Sequence, residues 1–297
     1  MLFDRQKRLL TLLDAHGGEL ELLDFQKLLF LYCMNVEREP SYDFVPYKYG
    51  GFSFTSYADK RRLTDQGLLS EVEPTWKLTR SGKAAARVAP TVLLEMKSFA
   101  KQYAHLRGDT LVAEVYRQHP YYATRSEMAA RVLKSDSETL KAIKSQRSVS
   151  RPGLRTIGYE GLSLEAFLNR LLVGGVSLLC DVRRNPLSRK YGFSKLTLSK
   201  SCESVGIRYE HLPELGIAGD KRRELDTQAD YDALFADYEQ RDLPRLGAAL
   251  SKIRSWIKNG ERVALTCYEH IPEQCHRHCI AEAIQKGAPN NWSILHL

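Results

Sequence analysis

Hydrophobic positions divide the chain into two regions with different periodicities. In the first region, leucines and aromatic residues recur at helical spacing, as they do over 9–13 and 22–32. Beyond residue 154, short apolar runs alternate with amphipathic segments, as in "VSLLCDVR" and the later "LTLSKSCESVG". The first pattern predicts helices. The second predicts strands separated by helices, and therefore βαβ units with a parallel sheet.

The predicted fold class is α/β. A mostly parallel C-terminal sheet flanked by helices, Rossmann-like, follows a mainly helical N-terminal domain. The segment "SVSRPG" at 148–153 has no periodicity and contains Ser, Pro and Gly, which favours a domain boundary. We therefore predict a winged-helix-like domain over 1–91, a helical connector over 92–150 and an α/β domain over 151–297.

The first 91 residues are typical of helices followed by a small β-wing. The pattern predicts a helix over 56–66, a hairpin formed by 68–72 and 75–78, and a last helix capped by Ser81. This order resembles a winged helix, a shape that contacts DNA or protein. "FQKLLFLYC" followed by "YKYGGFSF" also resembles the antitoxin-associated domain family called Panacea.

Composition narrows the class of protein. Apolar content of 43% and charged content of 27% are typical of a globular protein, and no apolar stretch approaches the roughly 20 residues of a membrane span. "MLFDRQKRLL" lacks the features of a signal peptide, so we expect a cytoplasmic protein without a membrane partner. Six cysteines are too few for a disulfide framework, and a net charge of +8 favours polyanionic partners.

Polar residues follow three of the predicted strands. Tyr159 and Glu160 follow the first, Asp181 ends the second, and Cys267 and Glu269 lie at the end of a third. The carboxyl ends of parallel strands share one edge of the sheet, where loops commonly carry function. We therefore predict a functional site at this edge.

Positive charge is concentrated at 180–195, "CDVRRNPLSRKYGFSK", which carries five cations from Arg183 to Lys195. A guanidinium matches phosphate or carboxylate with two parallel hydrogen bonds. The predicted phosphate-binding residues are Arg183, Arg184, Ser188, Lys190 and Arg277. In the alternative interpretation, Asp181 pairs with Arg183 or Arg184 and the other cations form a solvated surface.

Carboxylates at the same edge predict acid–base chemistry. We expect Glu160, Asp181 and Tyr159 to be the catalytic residues, because two neighbouring carboxylates can act as acid and base. Glu269 and His276 are expected near the site. Capping of a loop by Asp181 and of a turn by Glu160 is the structural alternative.

The segment "CYEHIPEQCHRHC" contains two possible reactive thiols, Cys267 and Cys275. Cys275 precedes a predicted helix, a position that lowers the pKa of a thiol. The same segment offers zinc ligands, but its first gap of seven residues departs from the usual knuckle, and His276 and His278 point apart on a helix. We therefore predict no metal and no cofactor, with a buried structural role as the alternative for Cys267.

Four blocks resemble one family, catalogued as domain of unknown function 488: "TIGYEG", "DVRRNPLSRKYGFSK", "GIRYEHLPELG" and "ALTCYEHIPEQCHRHCIAEAI". The resemblance covers residues 154–297 and implies a compact α/β domain without supplying a reaction. The positions that match the family's motifs are Tyr159, Glu160, Asp181, Arg183, Arg184, Pro186, Ser188, Cys267, Glu269, Cys275, His276 and Arg277. His278 and Cys279 lie outside those motifs.

These features favour a nucleic-acid- or nucleotide-processing protein, acting on DNA rather than RNA, in repair or defence. The expected reaction is cleavage of an N-glycosidic or phosphodiester bond, with arginines holding phosphate and a carboxylate in catalysis. Two alternatives stay open. One is a non-catalytic DNA-binding regulator or toxin–antitoxin component, in which Glu160 and Asp181 are consumed by salt bridges. The other is a thiol- or zinc-dependent enzyme.

Overall fold

The computed structural model describes residues 1–71, 74–148, 150–222, 225–286 and 292–297. Two compact units make up the chain, Met1–Arg147 and Ser148–Leu297. We call them the N-terminal unit and the C-terminal unit. The division lies between Arg147 and Ser148, where the "SVSRPG" segment begins, and residues 92–147 belong to the same unit as the residues before them.

The N-terminal unit is mainly helical. Its helices are α1 (Asp4–Ala15), α2 (Leu22–Asn35), α3 (Phe54–Asp65), α4 (Arg80–Ala85), α5 (Pro90–Gln102), α6 (Gly108–Gln118), α7 (Ala129–Leu133) and α8 (Ser137–Ser145). Its strands are β1 (Glu19–Glu21), β2 (Val45–Tyr47), β3 (Gly50–Phe52) and β4 (Thr75–Lys77). Leucines and rings of α1 and α2, with side chains from α5 and α6, form one hydrophobic core.

The predicted hairpin over 68–78 forms differently. β4 pairs antiparallel with β1. In the described part of the predicted hairpin, Leu69 bridges Leu78 and the Ser70 amide donates to the Lys77 carbonyl at 2.8 Å, while residue 72 lies outside the described residues. Trp76 of β4 is buried, and its ring lies 4.8 Å from that of Phe25 in α2, so core packing sets this pairing. The predicted Ser81 cap is also wrong. Thr79 caps α4, because its hydroxyl accepts a hydrogen bond from the Gly82 amide.

The C-terminal unit has a single five-stranded sheet among its described residues. Its strands are β5 (Gly153–Gly158), β6 (Leu178–Asp181), β7 (Arg208–His211), β8 (Arg262–Cys267) and β9 (Ile294–His296). They lie in the order β7-β6-β8-β5-β9. The flanking helices are α9 (Leu164–Val173), α10 (Lys195–Ser204), α11 (Gln228–Asp237), α12 (Gly247–Lys258) and α13 (Arg277–Lys286). All four strand pairs are parallel, so the predicted α/β fold is confirmed.

Register brings the three predicted strand ends together. β6, β8 and β5 are neighbours at the centre of the sheet, where Asp181 lies opposite Thr266 and Gly158 opposite Cys267. Every residue of β5 and β6 is buried, as expected for a parallel sheet covered by helices, although β5 contains Arg155 and Thr156 and β6 ends in Asp181. One edge therefore carries all three polar ends.

Local signals along this unit agree with the structure. Ser163, the hydroxyl residue just before α9, caps that helix by accepting a hydrogen bond from the Ala166 amide at 3.0 Å. Near Pro244 the chain forms a run of π-helix and 3-10 helix between α11 and α12. Within the described part of the chain, no helix has the length and hydrophobicity to cross a membrane.

Candidate functional site

A cavity of about 640 Å³ opens at the carboxyl edge of the sheet. We call it the site cavity. Its lining residues are Tyr159, Arg183, Arg184, Asn185, Leu187, Ile217, Gly219, Leu225, Tyr231, Cys267, Tyr268 and Glu269. The ends of β5, β6 and β8 thus share one concave surface, where ligands of open α/β sheets ordinarily bind.

Close backbone contacts hold this edge in place. A Cβ atom at Gly158 would lie 1.8 Å from the carbonyl oxygen of Glu269, and one at Gly216 would lie 2.1 Å from the amide nitrogen of Arg184. Both positions therefore require glycine for steric reasons. The loops after β8 and β6 could not reach their present positions beside larger residues.

Asp181 is consumed by a buried network. Its Oδ1 accepts hydrogen bonds from the Arg183 amide at 3.1 Å and from Arg183 Nε at 2.8 Å. Its Oδ2 accepts from Arg183 Nη2 at 2.5 Å and from the Tyr209 hydroxyl at 2.6 Å. The side chain is fully buried. Four donors and no exposure favour a positioning role for Asp181, and its predicted catalytic role stays untested.

The guanidinium of Arg183 makes its hydrogen bonds to other groups of the protein. Besides Asp181, its Nη1 donates to the Tyr159 hydroxyl and to the Phe193 carbonyl, both at 2.9 Å. Burial alone would lower the pKa of Arg183, but the hydrogen bonds and the charge of Asp181 outweigh burial and raise that pKa. The guanidinium has five N–H groups, most of which are used here. Arg183 therefore positions Tyr159 more readily than it binds a ligand.

Arg184 differs from its neighbour. Its side chain is exposed and lines the site cavity. Among the residues that the structure describes, it makes no ion pair. Of the two consecutive arginines, Arg184 is the one whose guanidinium is available to an anionic ligand.

The other predicted phosphate ligands stabilise loops. Ser188 Oγ accepts a hydrogen bond from the Lys190 amide at 3.1 Å, and Lys190 Nζ donates to the Tyr159 carbonyl at 3.2 Å. Arg277 is buried, with Nη1 donating to the Glu269 carbonyl at 2.5 Å and Nη2 to the His270 carbonyl at 2.9 Å. None of these three side chains lines the site cavity.

Aromatic rings form one wall of the site cavity. Tyr159 stacks on Phe193 with ring centroids 4.3 Å apart and planes within 9°, and Tyr268 meets Tyr159 edge-on at 5.3 Å. The Tyr268 side chain is 46% exposed, so its ring is available to a ligand. Tyr159 is almost completely buried and holds Tyr268 in place.

The two glutamates at this edge have different surroundings. Glu269 lines the site cavity, and its Oε2 lies 3.3 Å from Cys267 Sγ. Glu160 is exposed, and its Oε2 accepts a hydrogen bond from the His270 amide at 3.0 Å. Both carboxylates thus lie at the loop that follows β8, with Glu269 directed toward the cavity.

Sulfur atoms and an imidazole meet beneath the site cavity. His276 Nδ1 lies 3.8 Å from Cys267 Sγ and 4.0 Å from Cys275 Sγ, and all three side chains are buried. Burial raises the pKa of the Cys275 thiol well above its ordinary value, with the Cys267 thiol as a further cause. This burial argues against the low thiol pKa expected from the following helix, and a reactive role for Cys275 stays a prediction.

The other cysteines and histidines of this segment lie elsewhere. His278 Nδ1 contacts the carbonyls of Pro272 and Cys275, and Cys279 Sγ lies 3.4 Å from His278 Nε2. His276 and His278 therefore point apart, as predicted. All six cysteines of the chain are buried, and the structure joins none of them in a disulfide.

Sequence reasoning missed several residues of the site. Tyr209 holds Asp181 from the neighbouring strand β7, and Asn185, Ile217 and Tyr231 line the site cavity. Tyr209 lies two residues after Ile207 in "GIRYEHL", so its position on a strand next to β6 was the available signal. Tyr231 lies on α11, and no local pattern connects it with the sheet edge.

The fold and the cavity define the class of this protein: its C-terminal unit is a parallel α/β domain with a ligand-sized cavity at the carboxyl ends of its strands. Residues 163–284 match the model of the family described as "Domain of unknown function DUF488". The family predicted from the sequence is thereby confirmed for this part of the chain. No curated protein and no solved structure matches the chain. The winged-helix and Panacea resemblances of the N-terminal residues stay predictions.

Proposed function

We propose that the C-terminal unit is an enzyme that processes a nucleotide or a nucleic acid, DNA rather than RNA, in the site cavity. The observation that carries this proposal is the composition of the cavity wall. An exposed arginine, an exposed tyrosine ring, a carboxylate and a thiol face one space of about 640 Å³. Cavities of about 300–1,000 Å³ hold small ligands of nucleotide size.

Phosphate recognition falls to Arg184. Because Arg183 is already bound to Asp181, Tyr159 and Phe193, a ligand phosphate would have to displace buried partners to reach it. Arg184 could bind a phosphate without displacing any such buried partner. A guanidinium that binds phosphate forms charge-assisted hydrogen bonds, which are about twice as strong as neutral ones.

Base recognition falls to the tyrosines. Tyr268 offers a ring supported by the stack of Tyr159 on Phe193. Stacking of a base on an aromatic side chain contributes about 1–3 kcal/mol and tolerates any base. A nucleotide with its base on Tyr268 and its phosphate on Arg184 would lie in the cavity that Glu269 also lines.

The chemistry then belongs to the glutamates. We propose Glu269, and Glu160 at the adjoining loop, as the carboxylates that assist hydrolysis of an N-glycosidic or phosphodiester bond. The N-terminal unit would bind the DNA, and repair or defence would be the setting. Asp181 would act indirectly by fixing Arg183 and hence Tyr159.

A non-catalytic DNA-binding regulator is the second candidate. It requires both Glu160 and Asp181 to be consumed by salt bridges. Asp181 meets this condition through Arg183. Glu160 does not, since within the described part of the chain it accepts a backbone hydrogen bond and forms no ion pair. The exposed carboxylate favours the enzyme.

Binding is tested with Arg184→Ala. Titration of the full chain with labelled single- and double-stranded DNA, at several salt concentrations, should give an affinity that falls with salt. We expect Arg184→Ala to weaken binding by about tenfold to a hundredfold, because it removes a charge-assisted contact. It should also reduce the salt slope by about one ion. The matched control is Arg189→Ala, an exposed cation of the same loop that does not line the cavity.

Two results would contradict the binding proposal: no binding to any oligonucleotide, or equal losses of affinity in Arg184→Ala and Arg189→Ala.

Catalysis is tested in the same samples by assaying strand breaks and alkali-labile abasic sites. A product that forms with the parent and is lost with Glu269→Gln supports an enzyme. Binding without any product supports the regulator.

A further inference from the structure

Three metal-binding side chains converge at the end of β8. The ligand atoms of Cys267, Cys275 and His276 all lie within 4.8 Å of one another, and each side chain is buried. We propose that these three residues form a binding site for Zn²⁺ or another thiophilic divalent cation. Imidazole and thiolate are the ligands that zinc prefers in proteins.

The imidazole of His276 is oriented as a metal ligand. Its Nε2 lies 3.1 Å from the carbonyl oxygen of Val182, to which it donates its proton. This hydrogen bond leaves the lone pair on Nδ1, the nitrogen that faces the two sulfur atoms. Metal-binding histidines typically donate their other N–H to a backbone carbonyl or carboxylate, which fixes both tautomer and ring orientation.

Distances within the cluster agree with tetrahedral coordination. Zn–S bonds of about 2.3 Å and Zn–N bonds of about 2.05 Å imply an N-to-S separation of about 3.6 Å. The observed separations from Nδ1 are 3.8 Å to Cys267 Sγ and 4.0 Å to Cys275 Sγ. Both N-to-S separations therefore differ from the tetrahedral value by only a few tenths of an ångström.

Thiol hydrogen bonds explain the cluster less well. A thiol is a weak donor, so contacts of 3.8 Å and 4.0 Å stabilise the buried imidazole only slightly. A divalent cation displaces the thiol protons and neutralises both thiolates. It also satisfies Nδ1. The buried set is complementary to a cation in charge and in geometry.

The site has three protein ligands, the number typical of a catalytic zinc. Cys267 and Glu269 both line the site cavity, which places the cluster next to the ligand space. An ion there would supply a Lewis acid or a bound water at the remaining position. That catalytic role rests on the function proposed above, whereas metal binding itself does not.

Metal binding is measured on the full chain, reduced and freed of metal with a chelator. Titration with Co²⁺ should produce a thiolate-to-cobalt charge-transfer band that saturates at one ion per chain, and Zn²⁺ should displace it. We expect the double variant Cys275→Ser/His276→Gln to lower the affinity at least about 100-fold. The matched control His278→Gln/Cys279→Ser removes the same residue types from the same segment and should retain the band.

A second measurement uses the parent protein and requires no variant. Zn²⁺ should slow alkylation of Cys267 and Cys275, read by mass spectrometry of the modified peptides, relative to Cys202. Absence of the cobalt band in the parent, equal losses in both double variants, or unchanged alkylation of the cluster cysteines would overturn the metal site. Since no nucleotide is present, these results are independent of the DNA titrations.

Discussion

Both units of this protein bury cations, and one from each unit, Arg183 and Lys27, shows two different ways of stabilising a buried positive charge. Arg183, in the C-terminal unit, is 6% exposed and pairs with the buried Asp181 through two hydrogen bonds. Lys27, in α2 of the N-terminal unit, is 2% exposed, and its Nζ donates to the Gly51 carbonyl at 3.0 Å. No carboxylate pairs with Lys27 in the described part of the chain.

The pKa values of the two side chains shift in opposite directions. Burial lowers the pKa of Lys27 to about 7, since a carbonyl dipole does not replace the hydration of an ammonium. Asp181 overcomes the same effect of burial and raises the pKa of Arg183. The partner therefore sets the direction of each pKa shift: the Asp181 carboxylate outweighs burial at Arg183, whereas the Gly51 carbonyl does not at Lys27.

Replacing Asp181, the partner of Arg183, should have the largest effect on stability. We expect Asp181→Asn to destabilise the C-terminal unit by about 3–5 kcal/mol, because it leaves an uncompensated charge in the interior. The measurement is hydrogen exchange of β6, which reports opening of this unit alone. The double variant Asp181→Asn/Arg183→Met should recover part of the loss, since no charge is then buried. A loss below about 1 kcal/mol in the single variant would contradict the pairing.

Lys27 should make the N-terminal unit dependent on pH. The folded pKa of about 7 lies below the unfolded value of about 10.4, so between these values only the unfolded chain holds the proton. Stability therefore rises with pH in this window. Relative to Lys27→Met, the parent should gain about 2–3 kcal/mol between pH 6 and pH 9.

Hydrogen exchange of α2, compared between parent and Lys27→Met at each pH, isolates this effect because intrinsic exchange rates cancel. Lys60→Met is the control in the same unit, since Lys60 is buried to a similar degree. A difference between parent and Lys27→Met that stays constant from pH 6 to pH 9 would show that Lys27 keeps its proton.

The sequence predicted which residues lie together at the edge of the sheet better than it predicted which side chains bind one another there. Parallel strands align their carboxyl ends, so the juxtaposition of Gly158, Asp181 and Cys267 followed from the strand pattern alone. Whether Asp181 bound Arg183 or a ligand was left open, because the geometry of the turn after β6 decides it. Tyr209 completes the network from another strand, and no local pattern indicated it.

Other features depended on packing between distant segments. Lys27 lies in "FQKLLFLYC", where a lysine ordinarily marks a solvated face, but β3 covers it and provides the Gly51 carbonyl. The spacing between Cys267 and Cys275 gave no zinc knuckle. The chain between them curves back so that His276 lies between the two sulfur atoms and Val182. The conformation of this loop, which brings the two cysteines together, could not be read from their spacing in the sequence.

Tyr209→Phe should have the smallest effect on the stability of the C-terminal unit. It distinguishes the contribution of the neutral hydroxyl that binds Asp181 from that of the Arg183 guanidinium. The Tyr209 hydroxyl donates to Oδ2 at 2.6 Å, and burial together with the Asp181 charge raises the pKa of this tyrosine. Its loss removes one hydrogen bond to a charged group, about 1.5 kcal/mol, while both contacts from the Arg183 side chain remain. Exchange of β6 measures the loss, and α2 should not change. A loss as large as that of Asp181→Asn would mean that the neutral tyrosine, rather than the arginine, stabilises the buried carboxylate.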